Sequence, residues 1–420
     1  MDWYQFGGQK GSSVAHYLIE FINFVQYNQD LSKIQATLAV FIDFSKAFNR
    51  QDHNVLIKLL CDLGTPGWLL CIVIGFLENR FLIVSYKGVK SSKLELPGGG
   101  PQGTILGLFL FLILINGVGL MDSQKNVGDL ATSTSKNRPA LKELHLKFID
   151  DMTIAKSLQL KTDLRTNDDL IMPEQYRDRT GHILGVQKET EIKNNLVDIG
   201  NSAAANKMKL NHNKTKVMLF NTSLKFDFQP RLQLESECFL ESVDEHKLLG
   251  VIITSNLNWQ SHIDSICCKA YTRMWMIRRL KKLGSHEADL LAVYTTQIRS
   301  LLEFAVAVWN GGITVAQSAQ LERVQKCALA IILSNNYIDY ENALSETQFE
   351  TLATRRKLLC LKFAKKASKH PKFANWFCQS QTKAYNTRKP NEKFKPVISR
   401  TSRYEKSPIA YLTKLLNENQ

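Results

Sequence analysis

An α+β fold is the class this sequence predicts, and three observations carry it. Strand-like segments occur throughout the first 255 residues, led by the apolar run Thr37 to Phe44. Helical spacing interleaves with them, as in Leu56, Leu59, Leu60 and Leu63. Beyond Trp259 the pattern becomes entirely helical, over about 261–283, 286–309 and 315–333, which marks a separate helical region.

The elements follow in order. An amphipathic helix is expected from about Ser13 to Tyr27, with Leu18, Ile19, Ile22 and Val25 on one face. Thr37 to Phe44 is apolar and partly β-branched, so it reads as a buried strand ending at Asp43. A helix begins near His53 and is stopped by Gly64 and Pro66; residues 67–78 are helical again. Arg80 to Tyr86 and Ser91 to Leu96 alternate as the arms of a hairpin around Lys87-Gly88. Pro97 to Gly103 is a loop, and a buried helix follows at 104–116.

The polar stretch 121–140 reads as an exposed connector, and 161–185 as another loop. Between them, Leu146 to Ile149 and Met152 to Ala155 flank Asp150-Asp151, the form of a tight β-hairpin with two carboxylates at its tip. A helix around 188–206 leads to a strand ending at Phe220, and Glu245 to Thr254 gives a further strand or hairpin.

Charge narrows the class of partner. The 420 residues include 54 Lys and Arg against 39 Asp and Glu, a net charge of +15. Such an excess suits a polyanion, because neutralised phosphates release counterions. Sixteen of the basic residues and only two acids, Glu392 and Glu405, lie between Thr351 and Lys406. Pro371, Pro390 and Pro396 interrupt this stretch and Pro408 follows it, so the region reads as a basic, partly disordered tail that contacts nucleic acid. The eight cysteines show no CxxC pair, which indicates reduced thiols of an intracellular protein and gives no reason for a zinc site. No signal peptide opens the chain, and the most apolar run, Ile105 to Ile115, is too short to span a bilayer. The expected location is the nucleus and cytoplasm, away from membranes.

The chemistry lies in Asp43 and the Asp150-Asp151 pair. One strand ends in a carboxylate, and a hairpin about a hundred residues later presents two more. Phosphoryl transfer needs such an arrangement, because two hard cations roughly 3.5–4 Å apart must activate the attacking oxygen and stabilise the leaving one. Mg²⁺ prefers carboxylate oxygens, and carboxylates packed this closely repel unless cations neutralise them. Neighbouring strand residues point to opposite faces, so a turn must rotate one aspartate. Asp150 is the expected bridging ligand and Asp151 the supporting one. Phe48, just past the first strand, is placed to pack against a nucleotide sugar; an aromatic in the core is the plainer alternative.

Five segments in order carry a resemblance: FIDFSKAFNRQDH (41–53), GGGPQGTILGLFLF (98–111), FIDD (148–151), MKLNHNKTKVMLF (208–220) and HKLLGVIITSNLNW (246–259). Together they resemble the reverse transcriptases of non-LTR retrotransposons, including the jockey-like elements. Gln5-Phe6-Gly7-Gly8 with Lys10-Gly11-Ser12-Ser13 resembles the family's motif upstream of the first catalytic strand. The resemblance implies a right-hand polymerase: a palm of antiparallel sheet with helices on one face and partial fingers over 1–255, a helical thumb over 256–345, and the basic region 346–420.

It also implies roles. Asp43, Asp150 and Asp151 become ligands of two Mg²⁺ or Mn²⁺ ions, and Phe48 a gate against the ribose 2′-hydroxyl. Gln102 and Gly103 belong to the loop against the nascent pair, where glycine allows close backbone approach. Lys214 or Lys216 matches a lysine near the triphosphate, with Lys214 favoured as proton donor to pyrophosphate. Leu248, Leu249 and Gly250 match the primer-grip hairpin. The helix bearing Lys269, Arg273, Arg278, Arg279, Lys281 and Lys282 matches a thumb that tracks duplex phosphates. The partners implied are RNA template, DNA primer and dNTP, with a ribonucleoprotein on the element's own RNA as the wider assembly.

Three residues depart from the family pattern: Asn49 for Asp, Ile149 for Ala, and Leu108 for Pro. Ile149 reads as a mild change, needing only to be apolar behind the carboxylates. Leu108 alters the start of its helix. Met1 lies four residues before Gln5, so the expectation is an N-terminally truncated element that keeps its metal ligands and polymerises weakly or not at all. The competing expectation is a non-catalytic remnant binding nucleic acid through its basic regions; a metal-dependent nuclease ranks third, since no His-rich or Glu-rich site accompanies the aspartates.

Overall fold

The computed structural model describes residues 3–31, 35–96, 98–101, 103–118, 142–159, 186–221, 231–235, 238–380 and 393–419. The expected connector at 121–140 and loop at 161–185 lie outside these residues.

The chain enters through helix α1 (Val14–Asp30) and strand β1 (Gln35–Ile42). Every residue from Ala36 to Ile42 is buried, as a consecutive apolar run requires. Helix α2 (His53–Asp62) is capped by the Asp52 carboxylate, which accepts from Val55 N, and it ends before Gly64 at φ +72°. Helix α3 (Gly67–Leu77) follows. The expected hairpin then divides into two short antiparallel pairs: β2 (Phe81–Leu82) with β5 (Leu94–Glu95), and β3 (Ser85–Tyr86) with β4 (Val89–Lys90). All four strands are exposed on both faces, so their alternation reflects no buried side.

Helix α4 (Ile105–Asn116) starts at Thr104, whose hydroxyl accepts from Gly107 N. It is not wholly buried, as expected, but half so: Phe111, Leu114 and Ile115 face the core, while Ile105 is 92% exposed. Strands β6 (Glu143–Phe148) and β7 (Asp151–Gln159) form the aspartate hairpin. Helix α5 (Val186–Ala205) precedes β8 (Lys216–Phe220), β9 (Gln233–Glu235), β10 (Cys238–Phe239) and β11 (Glu241–Ser242). Strands β12 (Glu245–Leu248) and β13 (Val251–Thr254) make a separate hairpin.

The main sheet has five strands in the order β11-β8-β1-β7-β6, antiparallel except for the β11–β8 pair. Helices were expected on one face; they cover both. Ala39, Phe41, Ala155 and Phe220 pack against α1, whereas Leu38, Val40, Ile42 and Ile154 pack against α4 and α5. The reason is again β1, whose two faces are equally apolar.

Helices α6 (Gln260–Lys282), α7 (Glu287–Trp309) and α8 (Val315–Leu333) build the helical region. By length and composition alone α7 is apolar enough to cross a membrane, although no single unbroken apolar run marks it in the sequence. Here Tyr294, Ile298, Leu302 and Trp309 are buried in the core that α6 and α8 share. A π-helical stretch, Tyr294–Arg299, interrupts its regular turns.

Much of the C-terminal region, expected to be basic and partly disordered, is packed into the fold. After α9 (Tyr340–Thr347), α10 (Leu352–Ala367) buries Leu352, Arg356, Cys360, Ala364 and Ala367, and α11 (Pro408–Glu418) buries Ile409, Leu412, Leu415 and Leu416. Both belong to the core that contains α1. The Asp30 carboxylate, at the end of α1, accepts from Thr401 N at 2.7 Å and Arg400 N at 3.0 Å. Lysines and arginines on the outer side of α10 mask a buried stripe spaced at four residues. Residues 381–392 lie outside the described part.

Candidate active site

Asp43 stands one residue beyond β1, where the strand leaves the sheet. The loop after α5 is stitched to it. Asn211 N donates to Asp43 O at 2.8 Å, and Ser45 N donates to Lys209 O at 2.8 Å. That stitching brings Lys214 alongside, with its Nζ 3.7 Å from Asp43 Oδ2. Lys216, two residues on, pairs instead with Glu241.

The β1–β7 register sets Ile42 opposite Met152, so the positions beyond the pair, Asp43 and Asp151, share one end and one face of the sheet. Asp150 lies in the turn with Ile149, which holds φ +59°. The register alone therefore brings Asp151 to Asp43; bringing Asp150 there as a bridging ligand depends on rotation at the turn. Nor is Ile149 a simple apolar filler, since a β-branched residue at positive φ is strained. The turn itself fixes that conformation, and no pattern in the sequence marks it.

A cleft of about 340 Å³ opens on this end of the sheet, lined by Asp43, Asp151, Lys214 and Leu249 among others. His246, which the sequence did not single out, also lines it and stacks on Phe41 with ring centroids 4.4 Å apart. A lone histidine before Leu248 carries no signal until β12 is seen folded under β1.

The electrostatics are those of crowded carboxylates. Burial, then the charges of Asp150 and Asp43, push the Asp151 carboxyl up to about 6, against the opposing pull of Lys214. Asp150 is also raised, chiefly by burial and further by Asp43. Asp43 Oδ2 is a buried oxygen with no hydrogen bond. Among the described residues, no three His, Cys, Asp or Glu side chains are already drawn into a single ligand cage. The donor set nonetheless fits a hard divalent cation: carboxylate oxygens only, mutually repelling, one of them buried without a hydrogen bond.

The other expected residues are distributed around the cleft. Phe48 is half-buried and stacks on Phe111, with centroids 4.4 Å apart and planes 21° from parallel. Gly100 N donates to Phe48 O, and Gly99 N to Gln51 O, so the glycine loop is tied to the segment after Asp43. Gly103 is exposed at φ +85°, a conformation that favours glycine; Gln102 lies outside the described residues. Leu249 (φ +48°) and Gly250 (φ +89°) form the β12–β13 turn, with Leu249 at the cleft.

On α6, Lys269, Arg273, Arg278 and Arg279 are all exposed. Arg273 Nη1 donates to Gln297 O at 2.6 Å, which leaves it partly engaged within the fold. Lys281 caps α8, donating to Ile331 O at 2.7 Å. Trp275, 65% exposed on the same helix, adds an aromatic to this basic surface that the charge pattern did not reveal.

No family model matches the chain. Over 110 residues it is 31% identical to the RNA-directed DNA polymerase from mobile element jockey of Drosophila melanogaster, covering 26% of this chain and 12% of that protein. Over 311 residues it is 23% identical to the protein of the same name from Drosophila funebris, covering 73% of this chain and 29% of the relative. The chain is similar to the jockey reverse transcriptases. It spans less than a third of the length of these curated relatives. Among solved structures it has a distant likeness to telomerase from Candida albicans in complex with a TWJ fragment of telomeric RNA. The TM-score is 0.33 and the identity 10%, over 88% of this chain and 54% of that one.

Proposed function

We propose that this chain is the polymerase region of a non-LTR retrotransposon reverse transcriptase, extending a DNA primer on an RNA template. One observation carries the reading: Asp43, Asp151 and Lys214 converge on one cleft at the shared end of two adjacent strands. The similarity to the jockey polymerases supports it. In this reading the five-stranded sheet is the palm, α2 to α4 with the exposed hairpins are part of the fingers, and α6 to α8 are the thumb.

The chain's own residues divide the work. Asp43, Asp150 and Asp151 would hold two Mg²⁺ ions, whose chemistry there would be to acidify the primer 3′-hydroxyl and to neutralise charge on the leaving oxygen. The 3′-hydroxyl gives up its proton to solvent and attacks the α-phosphate in line; the new O3′–P bond forms as the bond to the pyrophosphate oxygen breaks. Lys214 faces the departing group and donates the proton it needs. Phe48, braced by Phe111, packs under the sugar and leaves no room for a 2′-hydroxyl. Leu249 and Gly250 hold the primer end, and Arg278 and Arg279 contact duplex phosphates.

The test is primer extension by the purified 420-residue protein, with an RNA template, a DNA primer, dNTPs and Mg²⁺. Extension that disappears in Asp43→Asn and Asp151→Asn supports the reading. Absence of extension by the unsubstituted protein, with retained RNA binding that depends only on the basic C-terminal residues, would overturn it.

A further inference from the structure

The N-terminal segment reaches the aspartate turn directly. Phe6 N donates to Lys147 O at 2.8 Å and Lys147 N donates to Tyr4 O at 3.0 Å, so residues 4–6 run beside β6 as an added edge. This places the Gln5 side chain, 2% exposed, against the backbone of Ile149. Its Oε1 accepts from Ile149 N at 3.0 Å and from Gly7 N at 2.9 Å, and its Nε2 lies 3.5 Å from Ile149 O. One side-chain amide thus engages both backbone groups of the strained residue immediately before Asp150.

Gly7 closes the same contact from below. A Cβ there would meet Ile149 Cγ1 at 2.5 Å and Ile149 N at 2.6 Å, so only glycine lets the segment pass this near the turn. The far arm of the hairpin is held too: Tyr17 OH donates to Thr153 Oγ1 at 2.6 Å, two residues beyond Asp151.

Gln5 is itself anchored from the other end of the chain. Lys372 Nζ donates to Gln5 O at 3.0 Å and sits 3.9 Å above the Phe6 ring. Phe6 stacks in turn on Phe373, with centroids 6.0 Å apart. A continuous run of contacts therefore joins the C-terminal region, the N-terminal segment and the turn that carries two of the three carboxylates.

We propose that Gln5 is a positioning residue that sets the aspartate turn, and that the C-terminal region secures it through Lys372. The inference rests on the polymerase reading only in naming what the turn does. A turn held in its left-handed conformation fixes where Asp150 and Asp151 point, and residues that orient metal ligands typically govern metal affinity about 10–100-fold.

The test uses the full chain and Mn²⁺ alone as probe, with binding followed by electron paramagnetic resonance and backbone protection by hydrogen exchange. Gln5→Leu is expected to weaken Mn²⁺ binding by about 10–100-fold and to speed exchange at the Ile149 amide, while exchange in α6 stays as it was. Lys372→Met shows the same signature in smaller measure, and Lys372→Arg restores it. Being a half-buried change that keeps the apolar stem, Lys372→Met carries the test should Gln5→Leu fail to fold. Unchanged exchange at Ile149 in Gln5→Leu overturns the role of Gln5. Wild-type behaviour of Lys372→Met overturns the role of the C-terminal region. Failure of the polymerase reading is a separate result, no dNTP incorporation by the unsubstituted protein, and exchange at Ile149 decides the role of Gln5 in either case.

Discussion

The Lys214 ammonium stands 3.7 Å from the Asp43 carboxylate, with the lysine side chain 70% exposed and the aspartate 27%. A cation so exposed has little to hold it there except the carboxylates, and it is free to turn toward an incoming anion. Lys214→Gln should therefore slow the incorporation step by about 10²-fold, the usual worth of a placed general acid, with a smaller change in dNTP KM. Mn²⁺ binding should stay equal or tighten, because Asp43 loses a competing cation. Single-turnover incorporation and a metal titration separate the two effects; wild-type rates would remove the lysine from the chemistry.

Asp151 predicts a pH dependence of the metal-free protein. Its carboxyl is raised from 3.8 to about 6, so the folded state holds a proton that the unfolded state has lost. The stability from this site is complete below about 3.8 and is lost as pH rises through about 6. Asp151→Asn should consequently stabilise the protein at pH 7–8 by about 1–2 kcal/mol after allowance for solvent screening, and not at pH 4. Chemical denaturation in EDTA at the two pH values measures this. The same variant should incorporate no nucleotide.

Phe48 stacks on Phe111 rather than standing alone, so the proposed gate is a braced ring. Phe48→Ala should raise ribonucleotide incorporation relative to deoxyribonucleotide by about tenfold or more. Phe111→Ala should do the same more weakly, since it frees the ring without removing it. Competition between dCTP and CTP on one template reads the ratio. An unchanged ratio in Phe48→Ala would return this residue to an ordinary core role.

Arg278 and Arg279 are exposed at the end of α6, and their neighbour Lys281 is committed to α8. Replacing both arginines with glutamine should reduce the salt dependence of duplex binding by a slope of about two, one per phosphate contact. Lys281→Gln should instead lower the melting temperature and leave the salt slope nearly as it was. Anisotropy measured across a salt series distinguishes them.

Most elements near the cleft could be read from local pattern. Leu56, Leu60 and Gly64 mark α2 by spacing and stop signal, and the run at 37–42 marks β1 by continuous apolarity. The aspartates were legible as residue types between apolar arms. What local pattern lacks is any account of pairing across the chain. Lys214 and Lys216 look alike until Glu241, on a parallel neighbouring strand, claims one of them. Gln5 stands out only as part of a motif carried by resemblance, and what it touches depends on residues 4–6 lying beside β6. The buried stripe of α10 was hidden by the basic residues around it, since composition averages over faces that the helix keeps apart.

Asp30 closes α1, yet the amides it caps belong to residues 370 and 371 positions further on. During synthesis α1 is made long before α10 and α11, which share its core. The packing of α1 therefore waits for loop closure across most of this chain, a long-range contact that forms slowly. Loss of α10 and α11 would thus leave α1 unfinished as surely as a lesion within it.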